Sequence, residues 1–103
     1  MIRKAYTETS MGQCHYRYKS GNGIPMVFLH QTPSSSLMYE EIIQLMPQNT
    51  CIAIDTPGFG MSDDISGNPN VADYGQSIVE ALINIKISDF HLLGHHSGAS
   101  IAL

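Results

Sequence analysis

Three short apolar runs, each followed by a turn and an amphipathic stretch, constrain this chain more than any other feature. They are Pro25–His30 (Pro-Met-Val-Phe-Leu-His), Thr50–Asp55 (Thr-Cys-Ile-Ala-Ile-Asp) and Phe90–Leu93. Runs this brief are too short for helices and read as strands buried on both faces. Pro33 and the serines Ser34 to Ser36 break the chain after the first run and supply an N-cap. Leu37–Met46 then predicts a helix with Met38, Ile42, Leu45 and Met46 on one face and Pro47 as its stop. The second run leads into Thr56-Pro57-Gly58-Phe59-Gly60 and a polar loop to Asn70. Asn70 with Asp73 forms a variant capping box. The helix behind it reaches Ile85, with Val71, Tyr74, Ile78, Leu82 and Ile85 inward. After the third run Gly94 to Ala99 turn the chain, and Ser97–Leu103 opens another helix. Ahead of all three, Ala5–Thr9 and Gln13–Tyr18 read as a hairpin, and Ser20–Gly23 as a turn.

Strands alternating with amphipathic helices specify an α/β fold, a mostly parallel sheet with helices on both faces. The last helix meets no Gly, basic turn or Pro to end it. A buried strand at residues 90–93 needs neighbours on both edges. Residues 1–103 are therefore expected to be the N-terminal part of one larger domain. Alone, with an open apolar edge, the chain is expected to aggregate.

Composition narrows the function. The chain has 103 residues, enough for one domain, and is 43% apolar and 14% charged, which suits a packed globule. Its formal net charge is −4, and Arg3, Lys4, Arg17, Lys19 and Lys86 are scattered, so nucleic acid is not an expected partner. No apolar run is long enough to span a membrane, and none follows Met1-Ile2-Arg3-Lys4 as in a secretory signal. The expected compartment is the cytoplasm, where Cys14 and Cys51 would be free thiols. His91, His95 and His96 fall across a strand and a turn, a poor arrangement for a metal, and none is expected. Asp55-Thr56-Pro57-Gly58 also matches the magnesium turn of P-loop GTPases. No Gly-x4-Gly-Lys loop precedes it, however.

Three segments stand at the carboxyl ends of predicted strands, where open α/β sheets place function. They are His30-Gln31-Thr32-Pro33, Asp55–Ser62 and Gly94-His95-His96-Ser97-Gly98-Ala99. A strand, then Gly-x-X-x-Gly, then a helix frames a nucleophile elbow, in which small residues flank a tight turn so that strand and helix can approach. Gly94 and Gly98 place His96 at the centre. Ser97 at the centre, with a shifted elbow, and a plain strand–helix turn are the other readings.

These segments together resemble the α/β-hydrolase fold. Leu29-His30-Gln31-Thr32-Pro33 is similar to its His-Gly-x-Pro loop, and Asp55-Thr56-Pro57-Gly58-Phe59-Gly60-Met61-Ser62 to its Asp-x-Pro-Gly-x-Gly-x-Ser turn. Phe90–His95 resembles its fifth strand entering the elbow. The resemblance implies hydrolysis of a small organic substrate of the ester, epoxide or halide class, with no cofactor. It implies oxyanion donors in the main-chain N–H groups of Thr32 and Ser97, with His30 and Gln31 on the substrate side and His96 and Ser97 as elbow residues. Two positions depart from the pattern: Gln31 replaces a glycine, and His96 replaces Ser, Asp or Cys. The acid and histidine of a triad follow the nucleophile in this fold, hence after Leu103. The alternative is a catalytically inactive, non-hydrolytic binding member of the same fold.

Overall fold

The computed structural model describes residues 2–30, 34–46, 48–63, 70–87, 89–94, 98 and 101. The strands are β1 (Arg3–Thr9), β2 (Gly12–Lys19), β3 (Asn22–Leu29), β4 (Asn49–Ile54) and β5 (His91–Gly94). A 3₁₀ turn (Ser36–Tyr39) runs directly into α1 (Glu40–Gln44), and α2 (Val71–Asn84) links β4 to β5. The sheet order is β1-β2-β4-β3-β5. The hairpin β1–β2 is antiparallel and joins β4 antiparallel, with Tyr16 opposite Ile54. β3 pairs in parallel with β4 and with β5, Val27 lying between Ile52 and Leu92. The sheet is thus mixed, and parallel through the three apolar runs that define it.

Strand alternation sends side chains to two cores. Cys14, Val27, Leu29, Ile52 and Ile54 face α2, which contributes Ile78, Ala81 and Leu82. Phe28, Cys51 and Ala53 face the other way and meet Tyr39 and Ile43. Helices therefore cover both faces. On the second face β2 presents His15, Arg17 and Lys19, all buried. Each finds a partner, as buried polar groups must. Arg17 Nη1 pairs with Glu40 at 2.9 Å. Lys19 Nζ donates to the carbonyls of Met46 and Asn49 beyond the end of α1.

The first helical segment departs from the sequence expectation. Ile42 and Leu45 are exposed, Leu45 by 81%, while Ser36, Tyr39 and Ile43 are buried. A 3₁₀ turn advances 120° per residue and stacks residue i over i+3. It puts Ser36 above Tyr39, and the following α-turn puts Ile43 in line, moving the inward face by one position. Ser35 caps the turn as expected, its side chain accepting from Leu37 N–H. The helix stops at Gln44, short of Pro47, which lies outside the described residues.

The capping box of α2 is present in both directions, Asn70 to Asp73 and back. Val71, expected inward, is exposed, whereas Ser77 and Ala81 are buried. The helix ends in a Schellman motif: Lys86 N–H bonds Ile83 O and Ile87 N–H bonds Leu82 O. Among the described residues β5 is an edge strand, Leu92 and Leu93 being 40% and 42% exposed. Beside it an open apolar groove of about 550 Å³ includes Leu29, Val71, Ile78, Val79, Phe90 and Leu92. His91, expected on a buried strand, is exposed.

Lys86 adopts φ +65° at the position where glycine ends most such helices. A Cβ in this region costs about 1–2 kcal/mol. Lys86→Gly is expected to stabilise the fold by about 0.5–1 kcal/mol, read as a raised Tm. An unchanged or lowered Tm would show that the lysine side chain contributes more than its backbone costs.

Candidate active site

Asp55 follows the last residue of β4, where the strand leaves the sheet. Its carboxylate is fully buried. Oδ1 accepts Ser36 N–H at 2.6 Å, and Oδ2 accepts Met61 N–H at 2.9 Å. Oδ2 also lies 2.8 Å from His15 Nδ1, and the Ser36 side chain adds a further hydrogen bond. Burial raises the pKa of this carboxyl. The donors from Ser36, Met61 and His15 outweigh burial and hold it below the ordinary carboxylate range. An ionised carboxylate only accepts, so the His15 hydrogen sits on Nδ1. The histidine ring packs 5.0 Å from Tyr6, centroid to centroid.

The turn beyond Asp55 is built around this carboxylate. Phe59 N–H bonds Thr56 O and Ser62 N–H bonds Phe59 O. Gly58 and Gly60 take φ +87° and +54°. A Cβ on Gly60 would stand 2.8 Å from Asp55 Oδ1 and closer still to Oδ2. Glycine is needed here for space as well as for its backbone angle. Ser62 Oγ closes the turn by donating to Asp55 O and accepting His15 N–H.

His30 leaves the end of β3 and is 1% exposed. Its Nε2 accepts Thr56 N–H at 2.9 Å, so that nitrogen keeps its lone pair and the ring hydrogen lies on Nδ1. The ring meets Phe59 edge-on, with centroids 5.9 Å apart. Gly98, buried and helical, approaches the same strand end. A Cβ there would lie 2.7 Å from His30 O and closer still to Leu29 O. The end of β3, the turn after β4 and Gly98 thus meet at one end of the sheet.

Of the residues singled out from sequence, His30 is described and buried. Gln31, Thr32, His96 and Ser97 lie outside the described residues. Sequence reasoning missed the roles of His15, Arg17 and Ser36. Period-two alternation along β2 was the available signal, because it puts His15 and Arg17 on the face opposite Cys14, Tyr16 and Tyr18. Cys14 and Cys51 are free and buried. Burial, opposed by the Ser62 hydrogen bond and reinforced by the Asp55 charge, pushes the Cys14 thiol up to about 11. Such a thiol is a poor nucleophile. No helix among the described residues is long and apolar enough to cross a membrane.

The fold agrees with the comparisons. The chain is similar to haloalkane dehalogenase 2 of Mycobacterium tuberculosis, 29% identical over 98 residues, which are 93% of this chain and 34% of that protein. It is similar to 2-(acetamidomethylene)succinate hydrolase of Mesorhizobium japonicum, 32% identical over 82 residues, 79% of this chain and 30% of that protein. Among solved structures, an N-acyl homoserine lactonase superposes with TM-score 0.92 at 25% identity, over 99% of this chain and 39% of that one. An epoxide hydrolase superposes with TM-score 0.91 at 25% identity, over 99% and 36% of the two chains. No family model matches the sequence. The chain has the fold of the N-terminal part of α/β-hydrolase-fold proteins. It spans about a third of the length of the curated relatives it matches.

Asp55 carries a pH signature. Its folded pKa is lowered, so the stability it contributes is complete above the unfolded-chain value near 3.9 and is lost as pH falls through the folded value. Asp55→Asn is expected to cost about 3–5 kcal/mol at pH 7, the range for breaking a buried ionic contact. The gap between wild type and variant should narrow below about pH 4 in denaturant titrations. A gap that stays constant down to about pH 2.5 would contradict this.

Proposed function

We propose that the intact protein is a hydrolase of a small organic substrate whose scissile bond is an ester, epoxide or carbon–halogen bond. Residues 1–103 would form the N-terminal part of its single catalytic domain, working in the cytoplasm. The observation that carries this reading is the approach of Gly98 to the Leu29 and His30 carbonyls. An elbow demands a residue without a side chain at that position, because strand and helix can pack closely only there. Gly94, at the end of β5 beside Leu29, is the matching small residue on the other side. The relatives and structural neighbours include a dehalogenase, a lactonase and an epoxide hydrolase, which span the proposed bond classes.

In this reading His96 stands at the elbow tip as general base or nucleophile. The main-chain N–H groups of Thr32 and Ser97 stabilise negative charge that develops on the substrate oxygen or leaving group. His30 and Gln31 lie on the substrate side. His30 Nε2 is taken by Thr56 N–H, so His30 contributes shape there and holds its loop. The acid and histidine that complete a triad follow the nucleophile in chain order in this fold.

The test is a substrate panel on the full-length protein: p-nitrophenyl acetate, styrene oxide and 1-bromobutane. Turnover of at least one is expected, with His96→Ala lowering kcat by about 100-fold or more, as loss of a general base or nucleophile does. Ser97→Ala, which keeps its main-chain donor, is expected to stay within about threefold of wild type. Equal background rates for wild type and His96→Ala, both folded, would favour the non-hydrolytic member. Loss confined to Ser97→Ala would mark a shifted elbow.

A further inference from the structure

We infer that Asp55, Ser36 and Arg17 are positioning residues that set the segment running from His30 to Ser36, a role resting on the hydrolase reading above. The segment is held at both ends by two consecutive residues of one strand terminus. At its start, Thr56 N–H binds His30 Nε2 at 2.9 Å. At its end, the Asp55 carboxylate binds Ser36 N–H at 2.6 Å. Asp55, Ser36, His30 and Thr56 are all buried, so solvent does not compete for these bonds. The adjacent anchors directly follow β4, which is paired on both sides, and this fixes the separation of His30 from Ser36.

The chemistry at the far anchor is specific. The Asp55 contacts all need an acceptor: two N–H groups, the His15 ring and the Ser36 side chain. An amide would turn an NH₂ toward one of those donors. Ser36 Oγ also accepts Arg17 Nε at 3.0 Å, while Arg17 Nη1 holds Glu40 at the start of α1. Arg17 on β2, Ser36 at the start of the 3₁₀ turn and Asp55 just past β4 form one chain of contacts. The 3₁₀ turn is tied separately to the start of the segment, since Tyr39 OH donates to Leu29 O at 2.7 Å. An oxyanion donor gains its value from being held in place before reaction. In this proposal the contacts at His30 and Ser36 restrain the two ends of the segment whose sequence includes Thr32.

The test uses full-length protein carrying Ser36→Ala or Arg17→Gln, with Asp55→Asn as the stronger variant. Hydrogen exchange over residues 30–36 is measured against α2 as an internal reference, together with kcat and KM for the panel substrate. Ser36→Ala is expected to speed exchange in residues 30–36 about tenfold or more with α2 unchanged. Its kcat is expected to fall about tenfold with KM within twofold, the split for a contact felt only in the transition state. Exchange that is unchanged, or that rises equally in α2, would overturn the proposal. So would an unchanged kcat in a variant whose loop has loosened. If the wild type turns over nothing, the hydrolase reading fails, and the exchange result alone decides whether the anchors hold the loop.

Discussion

The buried Asp55 carboxylate is the interaction on which this end of the molecule depends. It gathers N–H groups from the loop after β3 and from the turn after β4, and a ring nitrogen from β2. Burying a carboxylate costs several kcal/mol unless its oxygens are filled. Here they are filled by groups that would themselves be orphaned if it were removed. That mutual dependence gives the turn its shape. Gly60 must lack a Cβ because the carboxylate occupies the space, and Ser62 closes the turn through Asp55 O and His15 N–H. The consequence is that β2, the 3₁₀ turn after β3 and the turn after β4 are locked into one constellation.

The two faces of the sheet do different work. The α2 face packs mainly by apolar burial, with Ser77 Oγ donating to Thr9 Oγ1 and Ser10 N–H donating to Glu80 at its margin. The α1 face carries the stripe His15, Arg17 and Lys19, which ties the chain at the strand-end turn, at the start of α1 and just past its end. Directional bonds specify position where apolar contact specifies only proximity. The α1 face is the one whose buried charged side chains are held by directional bonds. The open edge at β5 and the apolar groove beside α2 lie on the side away from the hairpin.

Much of this was legible in the sequence, because burial writes itself into apolar runs and caps into short polar motifs. Pro25–His30 and Thr50–Asp55 were placed within a few residues of β3 and β4, and Asn70 with Asp73 announced the start of α2. The inward face of the first helix was half legible: Met38 and Met46 pack against the core as expected, while Ile42 and Leu45 are exposed. A 3₁₀ turn changes the angular step, and its inward residues include Ser36, which an apolar pattern skips. The exposure of Val71 and His91 was also missed, since periodicity alone does not say where cover stops. At the site, the motif pointed to Asp55 as part of a turn. Its partners His15 and Ser36 lie 40 and 19 residues away, and only the sheet register brings them together. Lys86 in a left-handed conformation had no warning at all, as the expected signal there is glycine.

The central claim is that His96 occupies the elbow tip, beside a loop held by Asp55 and Thr56. A crystal structure of the full-length protein tests it most directly. The account predicts a positive φ at His96 and its ring turned toward the pocket. The N–H groups of Thr32 and Ser97 should converge on one point about 3 Å from each. Ser97 at the tip of the turn, with His96 buried in the strand, would contradict it.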